Sequence, residues 1–286
     1  MTPWISRLAR PLLSLAALAL AGGLLGATLV RFAPGYGTDE RELDPRLSPA
    51  SREAIRSEHH LQSGLLAYYG NYLARAAHGD LGRSEWLNRP IAELLKERFP
   101  LTLRSVILGV LAAWCAAILL SFPALIWQRW LLDFAGTLAS GFLIALPAAV
   151  VALLAMYLRL PVFVAIGVVT FPKVFRYLRN LLQQAYEQPC VLAARARGIG
   201  QPRLLVGHVV PLVGGPIVAL LGVSISMAFG AAIPMEALCD SPGIGQLAWL
   251  AALNRDLPLI MNLTVVVTLI TVAANTAAEL LRGEAQ

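Results

Sequence analysis

Apolar and polar residues occur along this chain in long blocks, and several apolar blocks are long enough to cross a lipid bilayer. A transmembrane helix needs about 20 mostly apolar residues. The pattern predicts an all-α membrane protein with six transmembrane helices, of which the fourth has the shortest apolar part. The predicted spans are 11–30, 101–127, 130–157, 161–182, 209–233 and 258–281.

The first apolar block has two interpretations. It follows Arg7 and Arg10, as in a secretory signal peptide, but it is longer than the apolar core of ~7–15 residues that such a peptide has. Arg31 follows it directly, without a clear small-x-small cleavage site. We therefore interpret 1–30 as the N-terminus and a retained first span.

Two further regions follow. Residues 31–100 are rich in charged and turn-forming residues, which predicts a small extracytoplasmic element. Within it, the apolar residues of 89–99 lie on one helical side, which predicts a separate amphipathic helix on the membrane surface. Residues 101–286 form a predicted core of five spans.

The charges of the short loops predict the orientation, because Lys and Arg favour the cytoplasmic side. From Lys173 to Arg203, Glu187 is the one acid among several bases. Those bases are Lys173, Arg176, Arg179, Arg195, Arg197 and Arg203. The charged residues of the 234–257 loop are Glu236, Asp240, Asp256 and Arg255. The loop is therefore predicted to be extracytoplasmic, and both chain termini are predicted to be cytoplasmic.

Composition agrees with an integral membrane protein. The chain is 57% hydrophobic and 14% charged, against about 25% charged residues in soluble domains. Its net charge of +6 is a signal of topology, because no basic patch with interleaved aromatics predicts nucleic-acid binding. Adjacent His59 and His60 diverge by about 100° on a helix, so they predict no shared metal. We expect no cofactor and no disulfide between Cys115, Cys190 and Cys239.

A short polar segment between the fourth and fifth spans has clear helix ends. Pro189 suits the first turn of a helix, where its missing N–H costs nothing. Gly198 suits the left-handed position after the last turn, with Ile199 placed to contact Ala194 as in a Schellman ending. Pro202 then blocks continuation. The pattern predicts a helix of about two turns, too short to be stable unless it packs on something.

The two arginines of this helix face different neighbours. Arg195 and Arg197 lie about 200° apart around the axis. One interpretation is a cytoplasmic loop whose positive charge only fixes topology. The other is a rigid helix on which a cytoplasmic protein docks.

Three segments together resemble the permease subunits of type I ABC importers, in particular the dipeptide/oligopeptide/nickel permease family. The first is the coupling motif, with Ala194, Arg195, Ala196, Arg197, Gly198, His208, Pro216 and Gly222. The second is 79–103, before the second span. The third is the loop before the last span, 240–260, with Pro242, Gly243, Gly245, Arg255, Asp256 and Pro258.

This resemblance implies a transport subunit that is not an enzyme. It implies half of a pathway for peptides or a similar small solute, such as a nickel chelate, delivered by an extracytoplasmic binding protein. The implied partners are a second permease subunit in a heterodimer, two cytoplasmic ATPase subunits and membrane lipid. The chain has no G-x-x-x-x-G-K-[ST] motif, so ATP hydrolysis is expected on the partners. The implied location is the bacterial inner membrane.

The resemblance also implies roles for particular residues. It assigns ATPase coupling to 189–198, through Ala194, Arg195, Arg197 and Gly198. It assigns an external gate, or a contact with the binding protein, to the last loop, although a plain hairpin between spans is the alternative. The gate residues are Pro242, Gly243, Gly245, Arg255 and Asp256. The third and fifth spans would line the pathway, with Ser224, Ser226 and Met227 as candidates.

Two other classes of function remain as alternatives. A secondary transporter or channel favours ionisable residues inside the spans, and the candidates are Arg104 and Asp133, both near span ends. A membrane-embedded hydrolase needs a nucleophile beside a base. Ser224 and Ser226 lack a histidine that could act as their base. No span has a histidine in its core, and His208 lies at a cytoplasmic boundary.

Overall fold

A computed structural model describes residues 21, 28, 70, 72, 74–76, 78–126 and 130–284. The predicted first span, apart from residues 21 and 28, and the predicted extracytoplasmic region up to residue 69 lie outside the described residues. The described part of the chain is helical, with one isolated β-bridge between Arg83 and Pro90.

The helices follow one another with short connections. In chain order they are α1 (Ile91–Ile126), α2 (Trp130–Ala145), α3 (Ala148–Tyr157), α4 (Val162–Tyr186), α5 (Pro189–Ala196), α6 (Gln201–Leu204), a π-helical turn (Leu205–Val209), α7 (Val210–Leu238), α8 (Ile244–Leu253) and α9 (Leu257–Glu284).

Among the described residues, three helical stretches are long and apolar enough to cross a membrane by themselves: Ile91–Ile126, Gln201–Leu238 and Leu257–Ala278. They contain the predicted fifth span and most of the predicted second and sixth spans. The predicted fourth span is one continuous helix, α4, whose second half carries Lys173 and two arginines and is therefore less apolar. The described residues thus confirm a helical protein with apolar spans, while the count of six stays a prediction.

The predicted third span is not one straight helix. Helices α2 and α3 pass the length and hydropathy requirements only as a pair, and they are bent by 98° at the break between them. Pro147 lies in the break, with φ −58° and ψ 139°. Proline lacks a backbone N–H and clashes with the preceding turn, so it ends one helix and starts another.

The separate surface helix predicted at 89–99 is also wrong. Helix α1 begins at Ile91 and runs without interruption into the span, with Pro100 inside it. Ile91 and Leu94 are buried. Their burial in the protein explains why this amphipathic segment does not require a membrane surface.

The chain forms two compact units, 1–97 with 248–268 and 98–247 with 269–286. In the described part of the first unit, the Tyr72 hydroxyl donates to Oδ1 of Asn262 at 3.1 Å. The amide of Asn262 donates to the Leu81 carbonyl at 3.0 Å. These buried bonds attach the segment before α1 to the start of α9.

The second unit has two buried apolar clusters. In one, the α4 residues Phe175 and Leu182 pack with Val191 of α5 and Leu205 of the π-helical turn. In the other, α1, α3, α4 and α7 meet around small residues such as Ala152, Ala165 and Ala228. Small side chains allow helices to approach closely, as in many membrane proteins. The first cluster supports the segment with the predicted coupling role.

Candidate functional site

The predicted two-turn helix between the fourth and fifth spans is present as α5. Gln188 precedes it in an extended conformation, and Pro189 occupies its first turn. Gly198 follows the helix with φ +81°. The Gly198 N–H donates to the Arg195 carbonyl at 3.0 Å and the Ile199 N–H to the Ala194 carbonyl at 3.5 Å. This bonding pattern is the Schellman ending that the sequence predicted.

Helix α5 has one buried and one exposed side. Val191 and Ala194 are buried in the cluster formed with α4 and the π-helical turn. Leu192 and Arg195 are exposed. The helix is therefore held against the protein on one side and presents an apolar and a basic residue on the other.

The two arginines have different surroundings, as their spacing predicts. The guanidinium carbon of Arg195 lies 5.9 Å from the centre of the Tyr186 ring, within the range of a cation–π interaction. The Tyr186 hydroxyl in turn bonds to Oε1 of Gln201. Arg197 is exposed, and no described residue forms an ion pair with it. Arg195 thus contributes to the fold, while Arg197 is available to a partner.

Helix α5 ends before Pro202, as the sequence predicted, and Pro202 begins a new helix. It lies in the first turn of α6, which continues through the π-helical turn into α7. The fifth span therefore begins at Gln201, earlier than the predicted residue 209. His208 lies in the π-helical turn, and its buried Nδ1 has no hydrogen-bond partner among the described residues. Only residues 197–200 separate α5 from the continuous helical stretch formed by α6, this turn and α7.

The predicted external loop is organised by a buried carboxylate. The 234–257 segment, expected to be a loop, contains the end of α7, a turn and helix α8. Glu236 lies inside α7 and is 1% exposed. Its Oε2 accepts hydrogen bonds from Thr102 Oγ1 at 3.0 Å and from the Gly245 N–H at 2.8 Å. Thr102 Oγ1 also accepts from the Ile244 N–H at 2.8 Å. The carboxylate and the hydroxyl together satisfy the first amides of α8.

Close packing requires glycine in this turn. A Cβ on Gly243 would overlap the Glu236 carboxylate, and one on Gly245 would lie 2.6 Å from the Ile233 Cα. Gln246 bonds to Asp240 across the turn at 2.5 Å. Side chains of the same compact unit therefore fix the turn tightly. A plain hairpin between two spans does not require these bonds and close contacts.

The other two residues predicted for the external loop lie in the other compact unit. Asp256 is buried, and its Oδ2 accepts from Ser84 Oγ at 2.5 Å and from the Trp86 N–H at 3.2 Å. Its Oδ1 accepts from the Leu259 N–H at 3.1 Å. Asp256 thus caps the N-terminus of α9 and fixes the segment before α1. Arg255 is exposed, with φ +55°.

The candidate pathway serines form hydrogen bonds within the fold. Ser224 is fully buried and accepts from the Trp114 indole N–H at 2.9 Å. Ser226 donates to Asn275 Oδ1 at 3.0 Å. Met227 is partly exposed. The serines therefore connect α7 to α1 and to α9.

Asp133, a candidate ion site of the secondary-transporter alternative, is paired. It forms a bidentate ion pair with Arg179 of α4. A bidentate pair fixes the geometry of both groups. The pair therefore connects α2 to α4, and the charge of the Asp133 carboxylate is already balanced by a cation of the protein.

The sequence interpretation missed several partners. Thr102, Trp114 and Ser84 each hold a predicted residue in place, and Glu236 was counted as a loop charge. An acid at the end of a long apolar run, just before a Pro-Gly turn, was the available signal for Glu236. Serine, threonine and tryptophan in apolar helices are too common to indicate long-range bonds.

Comparisons with known proteins find a matching family of membrane transport components and relatives that are named as transport permeases. The family described as "Binding-protein-dependent transport system inner membrane component" matches residues 105–283. The oligopeptide transport system permease protein OppB of Escherichia coli strain K12 is 27% identical over 84% of this chain and 84% of its own length. The oligopeptide transport system permease protein AppB of Bacillus subtilis strain 168 is 26% identical over 90% of this chain and 92% of its own length. OppB of Haemophilus influenzae is 25% identical over 88% of this chain and 89% of its own length.

The family match covers all the helices from α2 to α8 and most of α1 and α9. It favours the transport subunit over a secondary transporter, a channel or a hydrolase. The names of these relatives give no support to a nickel complex as substrate. Because this match covers more than half of its length, the chain belongs to the inner membrane components of binding-protein-dependent transport systems.

Proposed function

We propose that this chain is a permease subunit of an ATP-driven importer of peptides. Its relatives are named as oligopeptide transport permeases, and they align over most of their length. The subunit would pair with a second permease, receive peptide from an extracytoplasmic binding protein and dock two cytoplasmic ATPase subunits. It would form half of the pathway and would not itself hydrolyse ATP.

The observation that carries this proposal is the packing of α5 against the neighbouring helices. Its buried side packs on α4 and on the π-helical turn, and α6 with that turn continues into α7. A force applied to the exposed side of α5 therefore reaches a membrane span directly. Packed helices move as rigid elements because interiors are dense. This arrangement suits a helix that transmits the closure of an ATPase to the pathway.

The two arginines provide the test. Arg197→Glu should abolish copurification of the ATPase subunits and peptide uptake, because an exposed acid replaces a base available for docking. Arg195→Glu should weaken ATPase docking less than Arg197→Glu does, since the Arg195 side chain lies on the Tyr186 ring. The measurement is ATPase copurification and uptake of a labelled peptide by cells that produce each variant.

The control is Arg203→Glu, which makes the same charge change on α6. Equal loss of docking in all three variants would indicate a general need for positive charge. Normal docking and uptake in Arg197→Glu would reduce α5 to a charged loop and remove the main support for the proposal.

We further propose six spans with both termini cytoplasmic, supported by the charges of the short loops. Gly200 is exposed, and a Cβ there meets nothing within 4 Å. In a variant without its natural cysteines, Gly200→Cys should resist a membrane-impermeant maleimide in intact cells and react after permeabilisation. Asn254→Cys, exposed in the predicted external segment, is the positive control. Labelling of position 200 in intact cells would reverse the orientation.

The turn before α8 is the proposed external gate or contact with the binding protein. The support is its rigidity, because Glu236 and Thr102 fix the turn that carries Pro242, Gly243 and Gly245. Arg255 and Asp256 belong to the same proposal by resemblance. In the pathway, we favour Met227 over Ser224 and Ser226, whose hydroxyls are engaged in bonds between helices.

A further inference from the structure

A cleft of about 480 Å³ adjoins the turn before α8, and Pro242 of that turn is one of its lining residues. It forms where α1, the turn between α3 and α4, and the end of α7 come together. Arg104 and Arg159 line it together with the hydroxyl-bearing Ser105 and Ser241 and several apolar side chains. By the predicted topology, it opens at the extracytoplasmic end of the spans.

Neither arginine of this cleft has an acidic partner among the described residues. Both are exposed, whereas Arg179 is paired with Asp133 and Arg89 with Glu97. An arginine presents several N–H donors in a planar fork that matches a phosphate or carboxylate. Two unpaired guanidinium groups on one cleft therefore suit an anion.

Arg159 has a backbone conformation that is uncommon for a residue other than glycine. Arg159 has φ +53° and occupies the left-handed position after α3. Its N–H donates to the Met156 carbonyl at 3.1 Å, and the Leu160 N–H donates to the Ala155 carbonyl at 2.8 Å. This is the Schellman ending that usually carries glycine. A glycine at position 159 would keep the backbone and remove only the cation.

The remaining lining of the cleft is apolar and accessible. Leu101, Leu108, Met156 and Leu160 are 43%, 36%, 54% and 41% exposed. These side chains line the same cleft as Arg104 and Arg159. The cleft therefore matches an amphiphile that has an anionic head and a hydrocarbon chain.

The position of Arg104 points to a lipid. Helix α1 has 36 residues, about 54 Å at 1.5 Å per residue, which exceeds a hydrocarbon core of about 30 Å. No charged residue occurs in α1 after Arg104. Arg104 thus marks the start of the uncharged part of the span, where arginine is expected at the level of the headgroups.

We propose that this cleft binds an anionic phospholipid. Its phosphate lies between Arg104 and Arg159, and an acyl chain lies along the exposed leucines and Met156. The proposal goes beyond peptide transport and does not depend on which solute is carried.

The test measures lipid binding to the purified full-length chain in its complex. Native mass spectrometry with added phosphatidylglycerol compares the wild type with Arg104→Gln and Arg159→Gly. Each variant should bind phosphatidylglycerol roughly tenfold more weakly, since one hydrogen-bonded charge is lost. Phosphatidylcholine, which is zwitterionic, should bind weakly throughout. Lys96→Gln, an exposed cation two turns earlier on α1, should match the wild type.

Any one of the following three outcomes would overturn the proposal. Unchanged phosphatidylglycerol binding in both variants, at unchanged thermal stability, would show that the arginines hold no lipid. Equal losses for both lipids would show a general defect of the surface. If lipid binding is unchanged and KM rises only for peptides with a free C-terminal carboxylate, the cleft is a substrate subsite.

Discussion

Gly198→Val should uncouple ATP hydrolysis from transport while leaving the protein inserted in the membrane. Gly198 has φ +81°, where a side chain costs roughly 1–2 kcal/mol and a β-branched residue is especially unfavourable. A cost of this size lowers the population of the native helix end by roughly 5- to 30-fold. Uptake of labelled peptide and binding-protein-stimulated ATP hydrolysis should fall accordingly, with the amount of protein in the membrane unchanged.

The control is in the same segment. Gly200→Ala should be nearly neutral, since Gly200 has φ −63° and open space around its Cβ position. Gly198 has open space as well, so the two positions differ in backbone conformation and not in the space for a Cβ. Equal effects of Gly198→Val and Gly200→Ala, or full coupling in Gly198→Val, would contradict the role of the left-handed ending.

Gly243→Ala should disrupt the external turn. The new Cβ would overlap the Glu236 carboxylate, which must then leave Thr102 or the Gly245 amide. A buried polar group left without its partner costs about 1–3 kcal/mol. We expect lower thermal stability in detergent and a loss of uptake that exceeds the loss of ATPase docking, because α5 is untouched.

Two further variants sharpen this test. Glu236→Gln keeps the shape and one acceptor oxygen, so it should be milder than Gly243→Ala. Gly230→Ala, on α7 with nothing within 4 Å of its Cβ position, should not lower stability, because alanine favours helix over glycine. Wild-type stability and uptake in Gly243→Ala would show that the turn does not need its present geometry and would sink the gate proposal.

The local structure of α5 could be predicted because its signals are local. Proline at a helix start and glycine after a helix end act through the backbone of their own neighbours. The same local rules were insufficient at Pro147, which directly precedes the first residue of α3. Whether the chain continues in line or turns there depends on the helices packed around it.

The external segment shows the other limit. Glu236, Asp240 and Asp256 look alike as acids in a short polar stretch, yet Glu236 and Asp256 are buried and Asp240 is exposed. The difference comes from Thr102 and Ser84, more than 130 residues away along the chain. A single sequence does not reveal which distant hydroxyl each carboxylate will meet.

The sequence by itself determined the helical class, the apolar spans and the ends of α5, because hydropathy and helix termini depend on residues close together in the chain. The tertiary structure alone decided the bend between α2 and α3, the burial of Glu236 and the cleft between Arg104 and Arg159. These features arise where separate helices pack, and packing depends on the shapes and distances of residues far apart in sequence.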